Sequence, residues 1–202
     1  MLTPLEAFPS TTKSPAGLLL AAGAGRRLGM PKALVDDWLV RGVEVLVAAG
    51  CSPVVVVLGA AHLQARALLE GRPVIVTVAA DWTAGLSASL RTGIMALPAG
   101  APAVVVTLVD LPDVGTSVVR RVLERGAEPV TLTRTTYHGR PGHPVVLGRA
   151  HWPGILEAAH GDVGGRAYLE QQGSALVECG DLGSGRDIDF PDERVASGVR
   201  HA

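Results

Sequence analysis

The chain of 202 residues carries 18 basic and 19 acidic side chains, so its formal net charge is −1 and no global field attracts nucleic acid or an anionic membrane. Aromatic residues make up only 3% of the sequence, which leaves few of the stacking surfaces that a single-strand binder uses. The length and the 48% hydrophobic content suit one domain with a substantial core, which we expect at residues 17–193 between flexible ends at 1–16 and 194–202.

The cysteines and the apolar runs bear on the location of the protein. Cys51 and Cys179 are too few for a disulfide framework and lack the spacing of a metal site. No apolar run reaches transmembrane length, and the N-terminal residues lack the cationic and then apolar pattern of a secretory signal. We therefore expect a soluble, cytoplasmic protein that binds neither membranes nor nucleic acid.

The first predicted strand leads into a glycine-rich, basic loop. Residues 18–22 are apolar at every position, as in a parallel strand that is covered on both faces. The loop after them contains three glycines and three cations, namely Gly23, Gly25, Gly29, Arg26, Arg27 and Lys32. Glycine allows a ligand to approach the backbone closely, and successive N–H groups can then converge on an anion. The loop therefore predicts a phosphate site.

Two well-known phosphate loops do not fit this spacing. In a Walker loop, four residues separate the first glycine from a Gly-Lys-Ser/Thr sequence, and neither Gly23 nor Gly25 is followed by that sequence at this spacing. A dinucleotide fingerprint from Gly23 would need a third glycine where Leu28 stands, and Pro31 interrupts the helix that should follow. The loop therefore indicates a nucleotide site of another kind.

Strands and helices alternate through the first half of the chain. Helices are predicted at 41–49 and 61–70, and strands at 53–58, 73–78 and 103–109. This alternation predicts a parallel α/β sheet. The strand at 53–58 ends in Gly59 with no acidic residue to hold a ribose, which further weakens a dinucleotide interpretation.

The second half of the chain has a different pattern. Short strands are predicted at 129–133 and 143–147, on either side of a polar loop at 134–142. A helix at 149–159, a helix ending near residue 172 and a strand at 175–178 follow. The two strands and the polar loop are expected to form a hairpin-like insertion that reaches over the ligand-binding edge of the sheet.

Several polar residues near these elements have both a functional and a structural interpretation. Asp110 follows the strand at 103–109, at the edge where ligands of an open parallel sheet bind, and Asp113 is available for capping the next helix. Ser87 and Asp162 are each either a helix N-cap or a ligand contact. His143 is more often structural than a general base, as a lone histidine near a strand start.

The stretch from Leu20 to Lys32, L-A-A-G-A-G-R-R-L-G-M-P-K, resembles the signature L-A-A-G-x-x-x-R-x-G-x-P-K of the MobA-like nucleotidyltransferases. That group includes the molybdenum cofactor cytidylyltransferases. Further segments of the chain are similar to family elements in the same order: residues 82–93, Asp110 to Pro112, Gly142 to Pro144, residues 161–166 and residues 187–193. In the element at residues 161–166, Gly165 stands where the family usually has alanine. In the element at residues 187–193, Phe190 stands where the family usually has threonine.

The resemblance implies an α/β fold of three layers, Rossmann-like, with a mostly parallel sheet flanked by helices, as in the nucleotide-diphospho-sugar transferases. It also implies the roles of individual residues. Catalytic roles fall on Arg27, Lys32 and Asp110, and metal binding falls on Asp110 and Asp189. Nucleotide contacts fall on Leu20, Ala21, Ala22, Gly23, Ala24, Gly25, Arg27, Lys32, Gly85, Ser87 and Ser89. Acceptor contacts fall on His143, Asp162, Gly164 and Arg166.

The implied reaction is transfer of NMP from an NTP to a phosphorylated small molecule, with release of pyrophosphate. The resemblance favours CTP, allows GTP, and implies molybdopterin-bound molybdenum as acceptor and a molybdoenzyme or chaperone as protein partner. Hard carboxylate oxygens suit Mg²⁺ rather than zinc. Alternatives are guanylyl transfer, another phosphorylated acceptor, a dinucleotide-dependent oxidoreductase and an inactive nucleotide-binding protein. The oxidoreductase accounts for the α/β pattern but not for Lys32, Asp110 or Asp189.

Overall fold

The computed structural model describes residues 14–191 and residue 193, and these contain seven strands. The strands are β1 (Ala16–Ala21), β2 (Val54–Leu58), β3 (Val74–Val78), β4 (Ala103–Leu108), β5 (Leu132–Tyr137), β6 (Arg140–Gly148) and β7 (Ala175–Glu178). The helices are α1 (Trp38–Ala48), α2 (His62–Ala67), α3 (Leu86–Met95), α4 (Thr116–Leu123), α5 (Trp152–Ala158) and α6 (Arg166–Gln172). Short 3-10 turns lie at Lys32–Leu34, Trp82–Ala84, Arg149–His151 and Gly161–Val163.

The described strands form one sheet in the order β3-β2-β1-β4-β6-β5-β7. β1, β2, β3 and β4 are parallel to one another. β6 is antiparallel to both of its neighbours, β4 and β5, and β7 is parallel to β5. Only β6 therefore runs against the others, and the prediction of a mostly parallel sheet is confirmed.

Two hydrophobic cores cover the two faces of this sheet. Leu18 of β1 lies between Val55 and Val106 in a core that α3, α5 and α6 complete. The next residue, Leu19, faces the opposite core, which is formed with α1, α2 and α4. Because side chains alternate between the faces of a strand, a central strand with helices on both sides must be apolar throughout. The predicted three-layer architecture is confirmed.

The segment predicted as a polar loop at 134–142 is instead mostly strand. β5 continues to Tyr137 and β6 begins at Arg140, so only a tight turn at His138 and Gly139 joins them. Both turn residues have positive φ, as a two-residue hairpin turn requires. The expected hairpin is present, since β5 and β6 pair antiparallel, but the predicted loop was too long. Threonine is a good strand former despite its polarity, and Thr135 here satisfies its hydroxyl by donating to the Pro144 carbonyl at 2.6 Å.

Other boundaries differ by a few residues. β1 begins at Ala16, which is fully buried although it falls within the segment expected to be a flexible end. α2 ends at Ala67 rather than near residue 70. The rest of the expected flexible ends, residues 1–13 and 194–202, lie outside the described residues. Within the described part of the chain, no helix combines the length and apolar character needed to cross a membrane.

Glu178, at the end of β7, holds the β5–β6 turn in place. Its carboxylate accepts hydrogen bonds from the Thr136 hydroxyl at 2.8 Å, from the backbone N–H groups of His138 at 2.7 Å and Gly139 at 3.1 Å, and from that of Gly180 at 2.8 Å. These bonds favour the ionised form and lower the pKa of Glu178 to about 2. The carboxylate therefore contributes most to stability when it is charged.

We expect Glu178→Gln to lower the melting temperature by a few degrees at neutral pH, because an amide offers one acceptor oxygen where the carboxylate offers two. The folded-state pKa, about 2, lies below the ordinary value of 4.5, so the contribution of the charged group is complete above 4.5 and is lost as pH falls toward 2. Thermal unfolding of both proteins at a series of pH values tests this. A gap between them that stayed constant down to pH 2 would contradict it.

Candidate active site

The site lies where the chain direction across the sheet reverses. β2, the next strand in the chain, lies on one side of β1, and β4 lies on its other side. In open α/β sheets such a reversal leaves a crevice at the carboxyl ends of the two strands, and ligands bind there. A cavity of about 480 Å³ opens at this place. Predicted nucleotide and catalytic residues line it, namely Leu20, Ala22, Gly23, Ala24, Gly25, Arg27, Lys32, Gly85, Ser89 and Asp110.

The glycine loop folds back on itself and returns Lys32 to the end of β1. The Gly29 N–H donates to the Gly25 carbonyl at 2.9 Å, and the Lys32 N–H donates to the Gly23 carbonyl at 3.2 Å. Gly25 has a φ of +56°, and a Cβ at this position would overlap the carbonyl oxygen of Met30. The tight turn therefore needs glycine, and it positions a lysine directly beside the end of β4.

Lys32 joins two carboxylates that are far apart in the chain. Its ammonium donates to Asp110 Oδ2 and, at 2.8 Å, to Asp189 Oδ1. Burial alone would lower the pKa of Lys32, but the two carboxylates outweigh burial and raise that pKa overall. Burial raises the pKa of Asp110, which is only 8% exposed, and the ammonium acts in the opposite direction. Lys32 therefore stays charged and carries part of the charge balance of this cluster.

The segment that brings Asp189 to the site has no regular secondary structure. Its Ile188 N–H donates to the Asp110 carbonyl at 3.0 Å, which fixes it to the end of β4. The Glu193 carboxylate accepts the N–H groups of Asp189 at 2.8 Å and Phe190 at 3.0 Å. Arg27, whose side chain is 62% exposed, bonds to Asp189 Oδ2 at 2.5 Å, and its guanidinium lies 5.4 Å from the centre of the Phe190 ring.

A third carboxylate completes a metal-capable cluster. Ligand atoms of Asp110, Asp187 and Asp189 all lie within 4.8 Å of one another. Sequence reasoning assigned Asp110 and Asp189 but missed Asp187. The available signal was the spacing of Asp187 and Asp189, because alternate residues of an extended segment point to the same side.

The opposite wall of the cavity comes from the start of α3. Gly85 has a φ of +105°, and a Cβ there would lie 2.6 Å from Asp162 Oδ1, so this residue allows two segments to approach closely. Both Ser87 and Ser89 are buried, but Ser89 lines the cavity, whereas Ser87 makes no capping bond and is absent from the described lining. Ala21 is likewise buried, on the opposite face of the sheet. Trp82 and Thr83, which were not predicted, line the cavity.

The predicted acceptor residues gather around a second, adjoining cavity. His143, Asp162 and Arg166 line it, and Gly164 lies next to it, where a Cβ would be 3.1 Å from a Leu86 side-chain atom. Burial, with a contribution from a neighbouring arginine, lowers the pKa of His143 to about 4, so this histidine is neutral at pH 7. A neutral imidazole here is able to accept or donate a hydrogen bond without adding charge.

Comparison with known proteins gives the family. Residues 17–176 match the MobA-like NTP transferase domain. The chain belongs to the MobA-like NTP transferase family. Both the glycine loop and Asp110 of this MobA-like NTP transferase lie within the matched range, whereas Asp187 and Asp189 follow it.

Among its relatives, this MobA-like NTP transferase is 35% identical over 193 residues to the nicotine blue oxidoreductase of Paenarthrobacter nicotinovorans, covering 86% of this chain and 91% of that protein. It is 27% identical to the crystal structure of Rv0371c from Mycobacterium tuberculosis H37Rv, with a TM-score of 0.75 and coverage of 93% and 97% of the two chains. A structure of Rv0371c in complex with manganese is 26% identical, with a TM-score of 0.73 and coverage of 93% and 100%. These likenesses confirm the predicted family and fold class.

Proposed function

We propose that this protein, through residues 17–193 as a single nucleotidyltransferase domain, transfers the NMP group of an NTP to a phosphorylated small-molecule acceptor and releases pyrophosphate. The observation that carries the proposal is the contact of Lys32 with both Asp110 and Asp189 beside the glycine loop. Nucleotidyl transfer depends on positioning and on neutralising phosphate charge, and this arrangement supplies a backbone cradle, fixed cations and carboxylates in one cavity.

The carboxylate cluster fits a hard divalent cation. It offers three carboxylates within 4.8 Å of one another, and such oxygen ligands suit Mg²⁺ or Mn²⁺ rather than zinc. The structure of Rv0371c with manganese supports a divalent ion in this fold. We assign Asp110, Asp187 and Asp189 as the residues that would hold Mg²⁺, which when bound neutralises phosphate charge.

The reaction joins an acceptor oxygen to the α-phosphorus of the NTP. A P–O bond forms there while the bond from the α-phosphorus to the bridging oxygen breaks, and that oxygen leaves with the electron pair on pyrophosphate. Because an acceptor phosphate is already anionic, no general base is needed. Lys32 and Arg27 stabilise the charge that develops on the leaving group, and the glycine-loop N–H groups orient the phosphates.

Lys32 and the metal compete for the same oxygens in this scheme. The ammonium now contacts Asp110 and Asp189, which are two of the three proposed ligands. If Asp110, Asp187 and Asp189 held Mg²⁺, the ion would supply positive charge to these carboxylates in place of Lys32, and the ammonium would then be available to contact phosphate.

The donor, the acceptor and the protein partner are the finer part of the proposal. The similarity to cytidylyltransferases supports CTP over GTP, with molybdopterin-bound molybdenum as acceptor and a molybdoenzyme or chaperone as partner. Both cysteines are free thiols, as expected in a reducing cytoplasm.

An NTP panel tests the reaction. Pyrophosphate release is measured with CTP, GTP, ATP and UTP, with and without molybdopterin-bound molybdenum, in Mg²⁺ or Mn²⁺. We expect release that needs acceptor and metal and is fastest with CTP. Asp181→Asn should release pyrophosphate as fast as the wild type and serves as the matched control for variants of the site aspartates, because this exposed carboxylate bonds to Arg121 away from the cavity. No release with any NTP would contradict nucleotidyl transfer, and equal rates with CTP and GTP would contradict the choice of base.

An oxidoreductase is the second candidate, because the relative that is 35% identical is a nicotine blue oxidoreductase. Against it, the loop spacing departs from a dinucleotide fingerprint and β2 ends at Leu58 and Gly59 without an acidic residue. Incubation with reduced nicotinamide cofactors and nicotine blue decides between the two. Cofactor oxidation that depends on the dye, in the absence of any pyrophosphate release from NTPs, would favour the oxidoreductase.

We expect Arg166→Ala to raise the KM for the acceptor about tenfold and to leave the KM for the NTP nearly unchanged. Arg166 lines the second cavity, and its Nε donates to Glu170 at 2.7 Å, which leaves its other N–H groups for a ligand. Glu170→Ala is the control, because it breaks the same ion pair but keeps the guanidinium. A loss of NTP affinity in Arg166→Ala would place this segment on the nucleotide side.

A further inference from the structure

A second cavity of about 200 Å³ adjoins the nucleotide cavity and is walled mainly by apolar side chains. The two cavities share Leu20, Leu86 and Asp162. The apolar wall is formed by Leu90, Val106, Val145, Leu147, Ile155 and Leu169. An apolar cavity of about 150 Å³ is enough to hold benzene, so this one has room for a one- or two-ring aromatic group.

An arginine whose Nε has no hydrogen-bond partner within the described residues lines this apolar space. Arg134 of β5 lies opposite Val145 of β6, on the sheet face that the cavity covers. Its Nε is buried and has no hydrogen-bond partner within the described residues. Burial lowers the pKa of Arg134, with a further contribution from Arg166, and the Glu170 carboxylate acts in the opposite direction. A guanidinium in such surroundings gains strongly from a hydrogen-bonded anionic partner, because its buried Nε has lost its hydration and no acceptor replaces it.

The other charged groups around the cavity leave one positive charge to be balanced. Arg166 is paired with Glu170 at 2.7 Å. His143 is neutral at pH 7, since its pKa is about 4. Asp162 lies at the boundary with the nucleotide cavity, where Gly85 packs against it. Glu170 thus serves two arginines, since it forms the ion pair with Arg166 and also acts on Arg134, and within the described residues Arg134 has no hydrogen-bonded carboxylate of its own.

We propose that this cavity binds a one- or two-ring aromatic carboxylate, with the ring among the apolar side chains and the carboxylate on Arg134. A carboxylate matches both the planar fork of arginine and a single uncompensated charge, whereas a phosphate monoester carries nearly two charges. Taken with the proposed function, on which this step rests, the ring and its carboxylate belong to a phosphorylated acceptor, which is then the alternative of another phosphorylated small molecule rather than molybdopterin-bound molybdenum. Its reactive group then faces the adjoining cavity that contains Asp110.

Gly165 provides a way to fill the cavity without straining the backbone. Its φ is −90°, and a Cβ there would lie 3.5 Å from Ile155 Cγ2 and 3.7 Å from Leu90 Cδ2, which are ordinary contact distances. A larger side chain at this position therefore extends into the space assigned to the ring.

Calorimetric titration of the full chain, without nucleotide, tests the assignment with naphthoate, naphthyl phosphate and naphthol as probes. We expect naphthoate to bind most tightly. Arg134→Met should weaken naphthoate binding about tenfold or more and leave naphthol binding unweakened, because the variant keeps the apolar length and loses the charge. Gly165→Leu should weaken both. Arg125→Met, an exposed arginine outside the cavity, is the matched control and should change neither.

Equal naphthoate affinity in the wild type and in folded Arg134→Met would overturn the proposal, and so would binding that Gly165→Leu leaves intact. Tighter binding of naphthyl phosphate than of naphthoate would overturn the carboxylate assignment. If Arg134→Met does not fold, Arg134→Lys is the second variant. It keeps the positive charge and should retain part of the affinity for naphthoate. If naphthoate binds to the wild type and binds more weakly to Arg134→Met and Gly165→Leu, the assignment of the cavity is supported. This holds even if the protein releases no pyrophosphate, because that result contradicts only the proposed nucleotidyl transfer.

Discussion

Lys32→Ala is expected to lower the turnover of nucleotidyl transfer by about 10²- to 10³-fold, the cost of removing one preorganised group that stabilises transition-state charge. The ammonium of Lys32 lies in the cavity between Asp110 and Asp189, so the variant loses a cation that we assign to the leaving group. Steady-state pyrophosphate release at saturating NTP and metal measures the effect. Unchanged release by a folded variant would remove Lys32 from the mechanism.

The structure adds a stability effect to this prediction. A lysine in an exposed loop could be removed with little change in stability, but the side chain of Lys32 is only 15% exposed and compensates the buried Asp110. Removing one partner of such a pair leaves an uncompensated charge, so Lys32→Ala should also melt at a lower temperature. Added Mg²⁺ should recover part of that loss, because it supplies positive charge to the same carboxylates. Turnover is therefore compared below the melting temperature of the variant.

Two neighbouring arginines provide the controls for Lys32. Arg27→Ala should lower turnover in the same direction, since Arg27 bonds to Asp189 and lines the cavity. Arg26→Ala should have a milder effect, because Arg26 also borders the cavity but stands at a variable position of the family signature. A larger loss from Arg26→Ala than from Arg27→Ala would contradict the assignment of the two residues.

The parts of the site that were predictable from sequence are those attached to regular elements. Gly23 and Asp110 each follow an apolar strand, and the carboxyl ends of parallel strands meet at one edge of a sheet. Strand alternation therefore predicted that these segments converge. It did not predict that Lys32 contacts Asp110, which depends on the way the loop turns back through its own backbone hydrogen bonds.

The convergence of Asp187 and Asp189 with Asp110 was beyond reasoning from periodicity. These aspartates lie in a segment without helix or strand, and single hydrogen bonds, such as that from the Ile188 N–H to Asp110, decide its path. The family resemblance supplied Asp189, and the alternate spacing of Asp187 and Asp189 would then have indicated the third carboxylate, but neither predicted the path that brings the segment to Asp110. In the same way, no pattern in the sequence indicated that the Nε of Arg134 is buried without a hydrogen-bond partner.

The two serines of α3 show a limit of motif matching. Ser87 and Ser89 were assigned together, yet only Ser89 lines the cavity. Residues two apart on a helix point in different directions, so one of such a pair turns away from a ligand that the other can contact. Helical geometry alone would have separated them once the helix was placed at Leu86–Met95.

Asp110→Asn and Asp189→Asn are each expected to lower metal-dependent turnover by about 100-fold or more, because even residues that only support a metal ligand typically contribute 10- to 100-fold. Asparagine keeps the size of aspartate and removes the anionic charge that binds a hard cation. The Mg²⁺ concentration for half-maximal activity should rise in both variants, and the melting temperature should change little, since the third carboxylate and Lys32 remain. Titration of activity against Mg²⁺ measures the shift.

The double variant tests whether Asp110 and Asp189 act as a unit. Their ligand atoms belong to one cluster within 4.8 Å, and both contact Lys32. Residues coupled in this way are not additive, so the double variant should be little worse than the worse single variant. Fully multiplicative losses would indicate two independent sites. Full activity of the wild type in excess EDTA would exclude the metal assignment, because the reaction would then proceed without a metal ion bound to these carboxylates.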